Sequence, residues 1–298
     1  MTPSGVRLGI DLGGTKIEGI ALDPEGVEIK RRRIATEADG GPPHIVARIA
    51  GLYAGLVYGI DDAPHTVGVG TPGAISLKTG LLKNSNTVCL NGQPLHAMLE
   101  AALHHPVRVE NDANCFALAE ALQGAGRGND CVFGVIMGTG CGGGIVLDGR
   151  VRTGAQGIAG EWGHMVIDPA GPPCYCGARG CVETFISGSG LERHFRLVNG
   201  RSLAAAQINE GAKAGKADCV AAMDGFYARF GQAMANLIAV LDPDIIVIGG
   251  GLSNIDALYT RGVAEVAKRV FSDELSTPIL RNTLGDSAGV IGAALSGI

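Results

Sequence analysis

Long apolar runs are missing from this 298-residue sequence. The best candidate, Leu237 to Ile248, is cut by Asp242-Pro243-Asp244, so no segment reaches membrane length and no membrane partner is expected. An excess of basic charge is missing too. The formal charge is −5, which leaves no electrostatic footprint for nucleic acid. The sole basic run, Lys30-Arg31-Arg32-Arg33, reads as a solvated strand end. The start, Met1-Thr2-Pro3-Ser4-Gly5, has no charged leader region and runs straight into an apolar strand, so a cytoplasmic location is expected. A disulfide framework is also absent. Of eight cysteines, Cys89, Cys115, Cys131, Cys141 and Cys219 are scattered singly, mostly among apolar neighbours, as buried free thiols in a reducing compartment would be. The 48 glycines show no collagen period and gather at a few turns. A hydrophobic content of 46% excludes disorder, and the length allows two lobes with separate cores.

Three cysteines do cluster. Glu161-Trp162-Gly163-His164 is followed by Cys174-Tyr175-Cys176-Gly177-Ala178-Arg179-Gly180-Cys181-Val182-Glu183. One neutral imidazole, His164, and three thiolates, Cys174, Cys176 and Cys181, complete a tetrahedral zinc set with no position left for water. Such a zinc holds structure and does not attack a substrate. The spacing is Cys-x-Cys followed by a third cysteine after four residues, not a pair of CxxC knuckles. Folding around a metal would bring Glu161 and Glu183 together, two acceptors suited to sugar hydroxyls.

Strands and helices alternate, which argues an α/β fold. Strands are expected at Arg7–Asp11, Ile17–Leu22 and Val27–Ile34, a helix at Pro43–Val57, and a strand at Thr66–Gly70. A helix follows at Leu95–Leu103, a strand at Val107–Glu110, and a helix opening at Asn111-Asp112. The pattern then restarts: a strand at Cys131–Met137, a glycine turn from Gly138 to Gly144, a strand at Ile145–Leu147, and a third after Asp148-Gly149. A long helix is expected at Asp218–Leu241, a buried strand at Ile245–Ile248, and a closing helix from Ser287. Strand, glycine turn, strand thus occurs twice. The first turn holds Asp11, Gly13, Gly14, Thr15 and Lys16, and the second Gly138, Thr139 and Gly140. Neither is a Walker A loop, which needs a helix after its glycines. Each can close backbone N–H groups on an anion, and Asp11 is placed to hold Mg²⁺ through water. Gly249-Gly250-Gly251, after the buried strand, offers a surface without side chains for adenosine. Asp112, read from spacing alone, is either a helix N-cap or an acceptor for a hydroxyl proton.

In these segments, together with Gly68-Val69-Gly70-Thr71-Pro72-Gly73 and Glu110-Asn111-Asp112-Ala113-Asn114, the chain resembles the ROK family of bacterial sugar kinases. That family lies within the superfamily of hexokinase, actin and the 70-kDa heat-shock ATPases. Matching segments run from Gly9 almost to the C-terminus. The resemblance implies a two-lobed ribonuclease-H-like fold that closes on a sugar and MgATP in a cleft between the lobes. One lobe would be residues 1–112, completed by the helix at 287–298; the other would be 113–286, with the zinc segment at 161–183. It implies Asp112 as the general base and Gly73, Asn91, Asn111, Asp112, Glu161, His164 and Glu183 on the sugar. It places ATP on the three glycine turns and a structural zinc on the His164 and cysteine set, and it implies a homodimer or larger assembly. His164 would ligate zinc through one ring nitrogen and donate to the sugar through the other.

Lys83 to Leu95, Cys174-Tyr175-Cys176-Gly177 and Val182 to Gly188 are most similar to the fructokinase (manno-fructokinase) branch, so D-fructose is the expected substrate and fructose 6-phosphate the product. An N-acetylglucosamine, mannose or glucose kinase would share nearly all the other motifs. Some family members are sugar-sensing repressors with a helix-turn-helix domain before the first glycine turn. Only about ten residues precede Asp11, and the charge is acidic, which argues against that architecture. A sensor without catalysis would have no use for Asp112.

Overall fold

A computed structural model describes residues 5–58, 60 and 63–297. The leader-free start expected for Met1–Ser4 falls outside them. In chain order the strands and helices are β1 (Val6–Leu12), β2 (Lys16–Leu22), β3 (Glu28–Ala35), α1 (Gly41–Val57), β4 (His65–Thr71), β5 (Ala74–Ile75), β6 (Leu82–Lys83), α2 (Leu95–Leu103), β7 (Arg108–Asn111) and α3 (Asp112–Leu122). They continue with β8 (Cys131–Met137), β9 (Cys141–Leu147), β10 (Arg150–Val151), α4 (Glu183–Ile186), α5 (Gly188–Asn199), α6 (Ala205–Lys213), α7 (Ala217–Leu241), β11 (Ile245–Gly249), α8 (Arg261–Ala267), β12 (Ile279–Arg281) and α9 (Ala288–Ser296). No helix among the described residues is long and apolar enough to cross a membrane.

The chain divides into two compact units. The first comprises Met1–Gln123, Gly149–Ala159 and Leu284–Ile298; the second comprises Gly124–Asp148 and Gly160–Thr283. The expected boundary after residue 112 would have put α3 in the second unit. The helix instead packs on α9 in the first. Gly292 makes this packing close, since a Cβ there would lie 1.7 Å from the Cys115 carbonyl oxygen.

In the first unit the sheet order is β3-β2-β1-β4-β7. The β1–β2 and β2–β3 pairs are antiparallel, whereas β4 and β7 add in parallel. Ile45, Val46, Ile49, Leu52 and Leu56 recur at helical spacing on α1 and fill the core beneath Leu8, Ile10 and Val69. The second unit repeats the scheme as β9-β8-β11-β12, with β8–β9 antiparallel and the rest parallel. Its core is built on Phe226, Phe230, Met234, Leu237 and Ile238 of α7 against Ile246 and Ile248 of β11. The mixed α/β order expected for a two-lobed ATPase fold of the actin and hexokinase type is therefore present in both sheets.

Three local expectations are corrected. The second glycine turn is shorter than Gly138–Gly144: Gly142, Gly143 and Gly144 belong to β9 and pair with Ile136, Val135 and Gly134. Glycine suits this strand because a Cβ on Gly143 would lie 2.7 Å from Trp162 and 2.8 Å from Phe133. The basic run is more than a solvated strand end, although Arg32 and Arg33 are exposed. Arg31 and Arg33 share one face of β3 and grip the buried Glu18 of β2, at 2.8 and 2.6 Å. Of the single cysteines, Cys115, Cys141 and Cys219 are buried free thiols, but Cys89 is exposed and Cys131 only half-buried.

Candidate active site

In the first unit, the turn between β1 and β2 has an unusual hydrogen-bond balance. Three of its carbonyls are tied back into the protein. The Thr36 hydroxyl donates to Gly13 O at 2.7 Å, the Thr36 N–H to Thr15 O at 3.0 Å, and the Gly13 N–H to Lys16 O at 3.0 Å. Among the described residues, nothing accepts from the N–H groups of Gly14 and Thr15. A tip with three acceptors engaged and its donors open is a concavity for an anion.

The second unit repeats this balance at the β8–β9 turn. Gly138 O accepts from the Gly188 N–H at 2.7 Å, Thr139 O from the Ser189 hydroxyl at 2.7 Å, and Gly140 O from the Gly138 N–H at 3.0 Å. The N–H groups of Thr139 and Gly140 have no acceptor among the described residues. The start of α5, capped by Ser187 on the Gly190 N–H at 3.0 Å, performs the part that Thr36 plays in the first turn. Neither Thr36 nor Ser189 was identified as a site residue from the sequence, because each lies far along the chain from the turn it holds.

The third glycine run divides its roles. Gly249 ends β11, and Gly250 has φ +81° with a Cβ position 2.5 Å from the Met137 carbonyl oxygen, so glycine is required there for backbone geometry. Gly251 faces open space.

Asp11 closes β1 beside the first turn. Burial, and then the negative charges of Asp112 and Glu18, push its carboxyl up to about 6, against the opposing pull of Lys16 and Arg33. A cation beside Asp11 would offset that repulsion, and Mg²⁺ bound with a triphosphate would supply one. The raised value has a stability consequence. Asp11 favours the fold when protonated, so its contribution is full below about pH 4 and is lost as pH rises through about 6. Asp11→Asn is expected to stabilise the protein at pH 7.5 by up to about 3 kcal/mol and to change little at pH 3.5. Chemical denaturation at both pH values measures this; an equal gain at each would contradict the assigned cause.

Asn111, not Asp112, is the N-cap of α3. Its Oδ1 accepts from the Ala113 N–H at 2.9 Å and the Asn114 N–H at 3.3 Å, while its Nδ2 donates to Gly73 O at 2.9 Å. Two residues expected on the sugar thus hold each other, and Asp112 occupies the first helical position, where its Oδ1 also accepts from the Ala113 N–H at 2.9 Å. Asn91 is engaged as well. Its amide clamps the preceding loop by accepting from Ser85 N–H at 2.8 Å and donating to Ser85 O at 2.9 Å.

In the second unit, the ligand atoms of His164, Cys174, Cys176 and Cys181 lie within 4.8 Å of one another. His164 Nδ1 is 3.6 Å from Cys174 Sγ, and Cys176 Sγ is 3.6 Å from Cys181 Sγ. Burial and the neighbouring thiols push Cys181 up to about 12, whereas a backbone hydrogen bond at Ala178 leads the lowering of Cys176. The donor set suits Zn²⁺, whose charge would hold all three sulfurs as thiolates. His164 Nε2, the nitrogen expected to face sugar, pairs with the Tyr175 hydroxyl at 2.9 Å. Burial, then the charges of Glu183 and Glu161, push that phenol up to about 12, so both glutamates act on the same group. Glu183 opens α4 and its Oε2 accepts from the Cys141 N–H at 3.1 Å. A Cβ on Gly140 would lie 2.6 Å from that oxygen. The indole of Trp162 donates to Gly142 O at 2.9 Å and seats the Glu161–His164 segment on β9.

Residues 7–296 match the model of the ROK family. The chain is 36% identical over 303 residues to the N-acetyl-D-glucosamine kinase of Vibrio cholerae serotype O1, covering 97% of this chain and 99% of that one. The structure of a ROK hexokinase from Thermus thermophilus is 32% identical, with a TM-score of 0.89 over 98% of this chain and 97% of the other. That of a ROK family glucokinase from Streptomyces griseus, in complex with glucose and AMPPNP, is 29% identical, with a TM-score of 0.78 over 97% of this chain and 98% of the other.

Proposed function

This chain belongs to the ROK family, and on that premise we propose that it is a hexose kinase that transfers the terminal phosphoryl group of MgATP to the primary hydroxyl of N-acetyl-D-glucosamine. The observation that carries the kinase reading is the pair of glycine turns, each with three carbonyls tied back and two N–H groups open. Phosphoryl transfer needs little covalent chemistry from the protein, only alignment, charge compensation and an acceptor for the departing proton. The turns supply donors for phosphate oxygens. Asp112, at the end of β7 and the start of α3, is the proton acceptor. The capping of α3 falls to Asn111, and Asp112, whose Oδ1 accepts from the Ala113 N–H at 2.9 Å, would take the hydroxyl proton on its carboxylate. Glu161 and Glu183 accept from sugar hydroxyls, and the zinc set between them in sequence fixes where they stand.

The choice of sugar follows the relatives. Those described above are named for N-acetylglucosamine, hexose and glucose, and none for fructose. The fructokinase assignment drawn from Lys83–Leu95, the Cys174–Gly177 motif and Val182–Gly188 therefore lacks support and gives way to N-acetylglucosamine. A coupled ADP-release assay over N-acetylglucosamine, N-acetylmannosamine, glucose, mannose and fructose tests this. The highest kcat/KM is expected with N-acetylglucosamine. A higher value with fructose would restore the earlier assignment, and no turnover with any of the five would remove the kinase reading.

A further inference from the structure

One buried hydroxyl near the first glycine turn has no task in the fold. Thr87 is 4% exposed, and its Oγ1 has no hydrogen-bond partner among the described residues. Buried hydroxyls are ordinarily paired, and an unpaired one is costly enough that valine, of the same shape, would serve the packing better. Thr87 is also held firmly. Its N–H donates to Ser85 Oγ at 3.1 Å, and its carbonyl accepts from the Leu90 N–H at 2.9 Å. Ser85 is in turn fixed by both ends of the Asn91 amide. The loop therefore uses the backbone of Thr87 and leaves its hydroxyl over.

That hydroxyl is directed at the turn. A Cβ built on Gly14 would have Thr87 Oγ1 at 3.8 Å, and no other atom outside its immediate neighbours within 4 Å. Glycine at position 14 thus leaves a space bounded by this hydroxyl, next to the open N–H groups of Gly14 and Thr15. The Thr87 hydroxyl thus borders the turn that carries the two open N–H groups, where the Gly13 and Thr15 carbonyls are engaged elsewhere. Such a set complements the non-bridging oxygens of a phosphate.

We propose that Thr87 is a phosphate-contacting residue, whose hydroxyl donates to an oxygen of the phosphoryl group seated on the Gly13–Thr15 turn. The role rests on the kinase reading for its substrate, but its anion site can be tested without turnover. Donation to a charged oxygen strengthens as charge gathers there, so its loss falls on kcat and on nucleotide affinity rather than on the free sugar.

The experiment compares Thr87→Val, which keeps the shape and removes the donor, with Thr87→Ser, which keeps the donor. Each is measured with the hexose that the unaltered enzyme turns over best. Affinity for a non-hydrolysable MgATP analogue and for free sugar is measured by calorimetry, after thermal unfolding shows that both variants fold. Thr87→Val is expected to lower kcat about 10- to 100-fold and to weaken the analogue about fivefold, with sugar affinity unchanged. Thr87→Ser is expected to stay within about threefold of the unaltered enzyme. Equal loss in both variants, or loss confined to sugar binding, would overturn the proposal, as would unchanged kcat and analogue affinity in Thr87→Val. If the unaltered enzyme phosphorylates no hexose, the kinase reading fails and the analogue affinities alone decide on Thr87.

Discussion

Asp112→Asn is expected to lower kcat by about a thousandfold while sugar still binds. The substitution keeps size and polarity and removes only the basic oxygen. Folding should survive it, because the start of α3 is secured by Asn111 through the N–H groups of Ala113 and Asn114. Helix capping, the other role open to an aspartate at this position, is carried chiefly by its neighbour, and asparagine keeps a side-chain oxygen for the Ala113 N–H that Asp112 also accepts from. Removal of a base lowers kcat with little change in the dissociation constant of the sugar. Steady-state kinetics together with calorimetric sugar binding would separate the two. Unchanged turnover would exclude Asp112 from proton transfer. In a sugar sensor without catalysis there would be no turnover to lose.

The second large effect is expected from the metal set. Residues between Met165 and Val182 form no strand of their own; two isolated bridges, Val166–Cys181 and Pro173–Arg179, supply their sheet-like pairing. Turn hydrogen bonds and the Arg229–Asp168 ion pair tie parts of the segment, and the convergence of His164, Cys174, Cys176 and Cys181 adds a cross-link at its centre. Elemental analysis should find about one zinc per chain. Cys176→Ser, or removal of metal by a strong chelator, should lower zinc content, unfold the segment and reduce activity at least about a hundredfold, because metal binding and local folding are one equilibrium. The loss reaches the sugar side through chain connectivity: Glu183 stands two residues after Cys181 and rests on the Cys141 N–H. Full activity in a protein free of zinc would refute the structural role.

Much of the framework is legible in the sequence because periodicity and punctuation agree. Leu95–Leu103 and Cys131–Met137 have the bounds expected from apolar spacing, and α7 begins one residue before its expected start. The metal set is legible because its ligands are chemically distinctive and close in sequence. What escapes is long-range or polar. Helix α5 is strongly amphipathic, with Leu191 and Phe195 on its buried face, but its Gly188-Ser189-Gly190 start reads as a turn. The task of Arg31 and Arg33 was in principle available, since alternate residues of a strand share a face, but their partner Glu18 is in another strand. Nothing local marks Thr36 or Ser189 as the ties of the two turns, because hydrogen bonds to distant carbonyls leave no spacing signature. Asn91 and Asn111 show the opposite difficulty: their residue type suits a sugar, yet each amide is spent on backbone groups nearby.

The open N–H groups of Gly14, Thr15, Thr139 and Gly140 belong to the main chain, and this shields recognition from genetic change. Any residue but proline brings the same amide proton, so ordinary substitutions there can crowd or tilt a donor but cannot delete it. Inherited variation can reshape the sugar side of such a protein, or a side chain such as Thr87, while these main-chain donors persist.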